Sequence, residues 1–328
     1  MVTSLIRSRP RLINKLLTAL GDDICQALDD PAVVEIMLNP DGRLFVERVG
    51  QGIAAAGEIS AATAEMVIGT VAHALHCEVD AQRPIVSGEL PIDGHRFEGL
   101  LPPVVVNPTF TIRRRASRLL TIADFVHAQV MSEHHAELIR AAVVSRRNIV
   151  IAGGTGSGKT TLANTVINEM IEATPDDRLV ILEDTAEIVC TASNAVPLHT
   201  NATIDMACLL KSTMRLRPDR IIVGEVRDGA ALTLLKAWNT GHPGGVATLH
   251  ANSANLALRR LEQLTAEASQ QPMCEVIGEA VDLVIFIEKT ARARRIREVL
   301  QVDGFVNGRY EIHIHPNTNK MEDMRHVA

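Results

Sequence analysis

The sequence of 328 residues is poor in aromatic residues and has no excess of positive charge. Only 2% of the residues are Phe, Trp or Tyr, which argues against the stacking platforms that bind single-stranded nucleic acids. Lys and Arg number 33 against 39 Asp and Glu, and the formal charge of −6 argues against a protein that coats nucleic-acid phosphates. We therefore expect no sequence-specific nucleic-acid binding.

Cysteine pairs and long apolar runs are also absent. The five cysteines are scattered without a CxxC pair, so neither a disulfide framework nor a structural zinc site is expected. No run approaches the roughly 18 apolar residues of a membrane-spanning helix, and the first arginines are not followed by the apolar core of a signal peptide. These absences predict a cytoplasmic protein of a reducing compartment that reaches a membrane only by peripheral docking.

Length and composition predict two domains with a connection between them. A chain of 328 residues fits two domains at roughly 150 residues each, and 46% hydrophobic residues can supply two cores. Residues 1–116 combine helical spacing with short strand-like stretches between Pro and Gly, which predicts a small α+β domain. Residues 117–145 are predicted to be a linker and connecting helix, and residues 146–328 form the second domain.

The second domain is predicted to be α/β, with a mostly parallel sheet that carries helices on both faces. Its apolar, often β-branched runs alternate with helical segments, and uninterrupted apolar runs indicate strands that are buried on both faces. The predicted strands are 149–152, 179–182, 221–223, 246–249 and 283–287.

A glycine-rich segment between the first of these strands and a helix fits the phosphate-loop pattern G-x-x-x-x-G-K-[ST]. The residues expected to bind a nucleotide there are Gly153, Gly154, Thr155, Gly156, Ser157, Gly158, Lys159, Thr160 and Thr161. Glycines let backbone N–H groups converge on an anion, and the helix N-terminus adds positive potential. Lys159 is expected to reach the β- and γ-phosphates, and the Thr160 hydroxyl to ligate Mg²⁺.

Two further predicted strands end in carboxylates, at Glu183 and at Glu225. Carboxyl ends of parallel strands beside a phosphate loop face the nucleotide. One carboxylate can hold Mg²⁺ through water while the other polarises the attacking water. Capping of a helix is the alternative for either carboxylate alone. His250 closes the next strand and could sense the γ-phosphate, although a single histidine at a strand end is usually scaffold.

Four segments occur in a characteristic order: the Walker A segment GGTGSGKTT, the acidic box ILEDTAE, the Walker B segment RPDRIIVGEVRD and the histidine box GHPGGVATLHANSA. Together they resemble the secretion-ATPase family of type II and type IV secretion and type IV pilus systems. The segments DDPAVVEIMLNPDGRLFVER and FTIRRR are similar to the Trb-type branch, the traffic ATPases of conjugative transfer. The resemblance covers the chain from about residue 12 to residue 314.

The resemblance implies a RecA-like P-loop ATPase domain behind a smaller α+β domain, a homohexameric ring, and ATP bound between the two domains with Mg²⁺. It implies that Lys159 and Thr160 serve the phosphates and Mg²⁺, that Glu183 activates water, and that Glu225 lies near Mg²⁺, directly or through water. His250 matches the histidine-box residue. Because the Walker B segment ends in Gly-Glu rather than Asp, the choice of general base between Glu183 and Glu225 stays open.

Arginines near the domain connection and the Walker B segment are candidates for phosphate contacts. The family clamps the nucleotide with an arginine before the second domain, where Arg113 and Arg115 are the candidates on either side of Arg114. Arg215 and Arg227 are candidate arginine fingers that a neighbouring subunit would receive, with Arg217 between them. A surface salt bridge is the alternative for any one of them.

A third group of arginines, Arg292, Arg294, Arg295 and Arg297, is predicted to line an exposed strand edge, where charge discourages pairing.

The sequence thus predicts a Mg²⁺-dependent ATPase ring that powers pilus assembly or substrate transfer in conjugative type IV secretion. Its expected partners are the inner-membrane and cytoplasmic components of that apparatus, and it is expected to dock peripherally on the cytoplasmic face of the inner membrane. The alternative is a nucleotide-regulated assembly or docking switch with low intrinsic turnover. Direct DNA translocation is disfavoured by the negative charge and the scarcity of aromatic residues.

Overall fold

The computed structural model describes residues 2–49, 51–115, 119–201, 203–290 and 293–317, with side chains from residue 12 onward. The chain divides into two compact units, Met1–Ser117 and Arg118–Ala328. Most of the segment 117–145 is helical and belongs to the second unit. The division of the chain into 1–116, 117–145 and 146–328 stays a prediction.

In the first unit, two helices accompany a six-stranded antiparallel sheet. Its elements are α1 (Val2–Asp29), β1 (Val33–Leu38), β2 (Arg43–Arg48), β3 (Gly52–Glu58), α2 (Ala61–Ala74), β4 (Ile85–Glu89), β5 (Arg96–Leu100) and β6 (Thr109–Arg113). The strand order is β3-β2-β1-β6-β5-β4. α1 breaks at Gly21, whose φ of 78° lies outside helical geometry. The Ser60 hydroxyl accepts the N–H of Thr63 and so caps α2.

The second unit is built on an eight-stranded mixed sheet. Its elements are α3 (Ile122–His127), α4 (Glu133–Val144), β7 (Ile149–Gly153), α5 (Lys159–Ala173), β8 (Leu179–Glu183), β9 (Ala195–His199), α6 (Met206–Thr213), β10 (Arg220–Val223), α7 (Ala230–Asn239), β11 (Val246–Leu249), α8 (Ala254–Ala266), α9 (Cys274–Ala280), β12 (Leu283–Lys289), β13 (Arg294–Val306) and β14 (Arg309–Pro316). The strand order is β14-β13-β12-β7-β11-β10-β8-β9, parallel from β12 to β9.

Helices cover both faces of the parallel part of this sheet. Helices α6 to α9 pack on one face and α3 to α5 on the other, so every residue of β7, β8, β10 and β11 is buried. The predicted fold class is therefore confirmed. Because parallel strands end at one edge, the loops after β7, β8, β10 and β11 meet there. Within the described residues, no helix is long and apolar enough to cross a membrane.

The prediction that the arginine-rich strand forms an edge is wrong. β13 pairs with β12 on one side and with β14 on the other, and the sheet ends at β14 and β9. Only Arg297 is exposed on this inner strand, whereas Arg294 and Arg295 are half-buried and Ile296 is buried, so the arginines do not share one exposed edge. Arg292 lies outside the described residues.

A buried ion pair lies where the parallel strands begin, at the edge of the sheet opposite the loops after β7, β8, β10 and β11. Arg220 is fully buried; its Nε donates to Asp177 Oδ2 at 2.8 Å and its Nη1 donates to the Gly244 carbonyl at 3.0 Å. Asp177 also accepts from Arg146 Nη2 at 2.6 Å and from Thr174 Oγ1 at 2.7 Å. Burial raises the pKa of Asp177, but these hydrogen bonds outweigh burial and hold the pKa below its usual value.

Replacing Asp177 with Ala should lower the free energy of unfolding of the second unit by about 3–5 kcal/mol, because it leaves the Arg220 charge buried without its partner. The lowered pKa of Asp177 means that this stabilisation is present at neutral pH and is lost as the pH falls through the pKa of the folded state. Urea unfolding monitored by circular dichroism measures both effects.

Glu288→Ala is the matched control, because it removes the half-buried ion-pair partner of the exposed Arg297 in the same unit. It should cost less than about 1 kcal/mol. An Asp177→Ala loss no larger than that of the control would contradict the role of the buried pair.

Candidate active site

The phosphate loop connects β7 to α5, and its shape depends on glycine at three positions. A Cβ on Gly153 would lie 2.3 Å from the Ile287 carbonyl oxygen of the adjacent strand β12. Gly156 and Gly158 have φ angles of 68° and 100°, which side chains disfavour. The loop therefore leads its backbone directly into the N-terminus of α5, where N–H groups and the helix dipole favour an anion.

Lys159 is buried at the start of α5, and its Nζ is held by the loop itself. Nζ donates to the carbonyl oxygens of Gly153 at 3.1 Å and Gly154 at 3.0 Å. It also lies 3.4 Å from Nε2 of His250, at the end of β11. The ammonium group is thus fixed beside the loop, within reach of an anion that the loop amides would hold.

Thr160 contacts a carboxylate that the sequence reasoning did not single out. Its Oγ1 donates to Glu187 Oε2 at 3.0 Å. Hydroxyl and carboxylate oxygens are the ligands that Mg²⁺ prefers, so this pair fits a magnesium ion beside the phosphate loop. The acidic segment also contains Glu183 and Asp184, and spacing alone does not reveal which of the three turns towards Thr160.

Glu183 lies at the tip of β8 with only 4% of its surface exposed. Its Oε1 accepts the backbone N–H groups of Glu187 at 2.9 Å and Ile188 at 2.8 Å. The carboxylate therefore holds the loop that presents Glu187 to Thr160. A Cβ on Gly224 would lie 2.9 Å from Glu183 Cγ, so the glycine of the Gly-Glu pair makes room for this side chain.

Glu225, just after β10, lies between a histidine and an arginine. His250 Nε2 is 2.7 Å from Glu225 Oε1, and Arg227 Nε donates to Glu225 Oε2 at 2.8 Å. Arg227 also pairs with Asp184, with 3.2 Å between Nη1 and Oδ2. Together with Lys159, these groups form a line of alternating charge from the phosphate loop to the tips of β10 and β8.

The environment of His250 favours the neutral imidazole. Burial lowers its pKa, and the positive charge of Lys159 lowers the pKa further. The carboxylate of Glu225 acts in the opposite direction without cancelling these effects. Lys159 Nζ lies within 3.5 Å of both ring nitrogens, and a neutral imidazole keeps one nitrogen that can accept a hydrogen bond from it.

The remaining candidate arginines lie elsewhere. Arg215 and Arg217 are exposed in the turn between α6 and β10, at the amino edge of the sheet, so within one chain they are remote from the phosphate loop. In the first unit, Arg113 is exposed at the end of β6, and the N–H of Arg115 donates to His95 Nδ1 at 3.1 Å. The phosphate contacts of Arg113, Arg115 and Arg215 stay predictions, whereas Arg227 pairs with carboxylates of its own chain.

Comparison with known proteins gives consistent matches across the chain. Residues 19–310 match the family model described as type II/IV secretion system protein. A probable conjugal transfer protein TrbB of Sinorhizobium fredii (strain NBRC 101917 / NGR234) is 70% identical over 98% of this chain and 99% of that protein. VirB11 of Agrobacterium fabrum is 29% identical over 83% of this chain and 90% of that protein. The X-ray structure of the Legionella pneumophila ATPase DotB, 20% identical with a TM-score of 0.61, covers 85% of this chain and 79% of that one, so the two share a fold.

The charges around His250 predict how its titration responds to substitution. In the wild type, the NMR titration midpoint of His250 should lie below the ordinary value of about 6.5. Lys159→Met should raise the midpoint because a positive charge is removed, and Glu225→Gln should lower it because a negative charge is removed. The His250→Asn spectrum assigns the signal.

Lys211→Met is the matched control for charge, since it removes an exposed lysine from α6, and it should leave the midpoint unchanged. If Lys159→Met and Glu225→Gln shifted the titration midpoint of His250 in the same direction, the placement of His250 between these two charges would be disproved.

Proposed function

The chain belongs to the type II/IV secretion system protein family, and we propose that it is the ATPase of a conjugative type IV secretion system. In this role it hydrolyses ATP with Mg²⁺ to power pilus assembly or substrate transfer. The supporting observation is that one sheet edge gathers a phosphate loop with its lysine, the Thr160–Glu187 pair and the Glu225–His250 pair. The relatives named for conjugal transfer and as VirB11 support the secretion role.

The phosphates of ATP bind to the loop between β7 and α5. The backbone N–H groups at the start of α5 and the Lys159 ammonium neutralise the β- and γ-phosphates, and Lys159 exchanges the carbonyl oxygens of Gly153 and Gly154 for phosphate oxygens. Thr160 and Glu187 hold Mg²⁺ when it is bound, and the ion supplies charge neutralisation on the phosphate oxygens.

Glu225 is the better candidate for the general base. The Oε1 of Glu183 already accepts two backbone hydrogen bonds, and this side chain is buried under Gly224. Glu225 contacts His250, and His250 in turn contacts Lys159 of the phosphate loop. In this proposal the Glu225 carboxylate takes a proton from the attacking water as its oxygen bonds to the γ-phosphorus. The bond between that phosphorus and the β–γ bridging oxygen breaks at the same time, and ADP and phosphate are the products.

Arg227 links the proposed base, Glu225, to Asp184 in the loop after β8. Its guanidinium pairs with both Glu225 and Asp184, so Glu225 has to release Arg227 before it can orient a water molecule freely. This pairing favours a second candidate function, a nucleotide-regulated docking switch with low intrinsic turnover. In that case nucleotide binding shifts the population of conformations, and a partner releases Arg227.

The proposal extends to assembly and location. Six copies form a ring that docks peripherally on the cytoplasmic face of the inner membrane, against inner-membrane and cytoplasmic components of the secretion apparatus. The family resemblance and the names of the relatives support this part. Arg113 and Arg115 from the first unit, and Arg215 from a neighbouring copy, would add positive charge around the phosphates in such a ring.

Substitutions at the proposed catalytic groups separate binding from turnover. Lys159→Ala should abolish phosphate release and weaken ATP binding, because it removes the cation held within the loop. Glu225→Gln should lower kcat by about 100-fold or more and leave the Kd of ATP within about threefold, because it removes only the base. Phosphate release and calorimetric titration measure the two quantities.

Glu137→Gln removes an exposed carboxylate from α4 and serves as the control, with wild-type values expected. Wild-type release by Lys159→Ala would reject the nucleotide assignment, and wild-type kcat in Glu225→Gln would reject the base. A wild-type protein that binds ATP but turns it over only with membranes or secretion partners would favour the switch.

The ring proposal predicts a particle of six times the 35.6-kDa chain mass in the presence of Mg²⁺ and ATP. Light scattering after size-exclusion chromatography, with and without nucleotide, measures this mass. A chain that stays monomeric with Mg²⁺ and ATP across the accessible concentrations would contradict the hexamer, while leaving the nucleotide site untouched.

A further inference from the structure

Arg294 reaches the phosphate loop from the side opposite to the carboxylates. β12 flanks β7 with Ile287 paired to Gly153, and β13 returns antiparallel next to it. The strands that carry Glu225 and His250 lie on the other side of β7. The start of β13 therefore brings an arginine to the edge of the sheet where the phosphate loop lies.

The Arg294 side chain contacts the loop backbone directly. Its Nε donates to the Gly156 carbonyl oxygen at 3.3 Å. Its Cδ lies 3.2 Å from the position that a Cβ on Gly158 would occupy, so the glycine at the end of the loop also leaves space for the arginine. The sequence reasoning missed this residue because it assigned the whole arginine group to a solvent-exposed edge.

The neighbouring arginines of β13 are held by other protein groups. Arg295 donates through Nη2 to the Asn317 carbonyl at 3.3 Å, and Arg297 pairs with Glu288 at 3.4 Å. Across the residues whose contacts the structure describes, no carboxylate forms an ion pair with Arg294. Its positive charge is therefore directed to the phosphate loop without a protein carboxylate to neutralise it.

We infer that Arg294 binds the part of the nucleotide phosphate chain that ATP and ADP share; this inference rests on the proposed function. The phosphate to be removed has to face Glu225 and His250, so a cation on the opposite side of the loop faces the phosphates that remain in ADP. The planar guanidinium suits phosphate oxygens, and a charge-assisted hydrogen bond adds affinity for both nucleotides.

The test compares Arg294→Gln, Arg294→Lys and the wild type in calorimetric titrations with ADP and with ATP, together with kcat. Arg294→Gln should raise the Kd of ADP and the Kd of ATP by a similar factor of about tenfold or more, because a charge-assisted contact is lost. Its kcat at saturating ATP should stay nearly unchanged. Arg294→Lys should recover part of the affinity because it keeps the charge. Arg297→Gln, on the same strand, should bind both nucleotides like the wild type.

Equal affinities of Arg294→Gln and the wild type for ADP would overturn the inference, and so would a loss confined to ATP, which would put the guanidinium on the γ-phosphate side. The same loss in Arg297→Gln would also overturn it, because it would show a general effect of charge or of strand stability. A wild-type protein that binds neither ADP nor ATP would instead overturn the proposed function, and the inference with it.

Discussion

The hydrogen bonds of the buried Glu183 carboxylate determine how the rest of the site is built. A carboxylate in this position would be costly without donors, and two consecutive backbone N–H groups from the following loop supply them. The loop therefore has to close back on the tip of β8, and this closure brings Glu187 to the hydroxyl of Thr160. Gly224, just after the neighbouring strand β10, leaves room for the Glu183 side chain because it has no side chain of its own. One structural carboxylate thus organises the groups suited to a metal ion.

The groups around Glu225 act as a connected set rather than as separate residues. Lys159, His250, Glu225 and Arg227 alternate in charge or polarity, and each lies within contact distance of the next. A phosphate that attracts Lys159 changes the field at His250, and His250 is in direct contact with the carboxylate proposed as base. At the other end of the line, Arg227 also holds Asp184, so the same carboxylate responds to the loop after β8. In the proposed ATPase, this arrangement would connect the bound phosphates to both the loop after β10 and the loop after β8.

Local patterns were sufficient to predict much of the fold and of the phosphate loop, because both depend on short-range chemistry. The apolar run 149–152 corresponds to Ile149–Gly153, and the glycines at 156 and 158 take the left-handed angles that the motif requires. The misplaced arginine strand shows the limit: an inner strand can carry the same charges as an exposed edge, and only distant pairing distinguishes them. Glu183 was ambiguous for a similar reason, since a capping carboxylate and a catalytic one occupy the same position at a strand end. Arg294 and Glu187 depend on the path of loops that no local pattern fixes.

The close approach of Gly153 to Ile287 has a mechanical consequence. With no side chain at 153, the phosphate loop rests directly on the backbone of β12 and has no slack on that side. β12 is in turn paired with β13, and β13 with β14 at the rim of the sheet, so one continuous hydrogen-bonded ladder runs from the loop to that rim. In the proposed ATPase, a partner bound at β14 would therefore contact the same sheet whose backbone supports the phosphate loop.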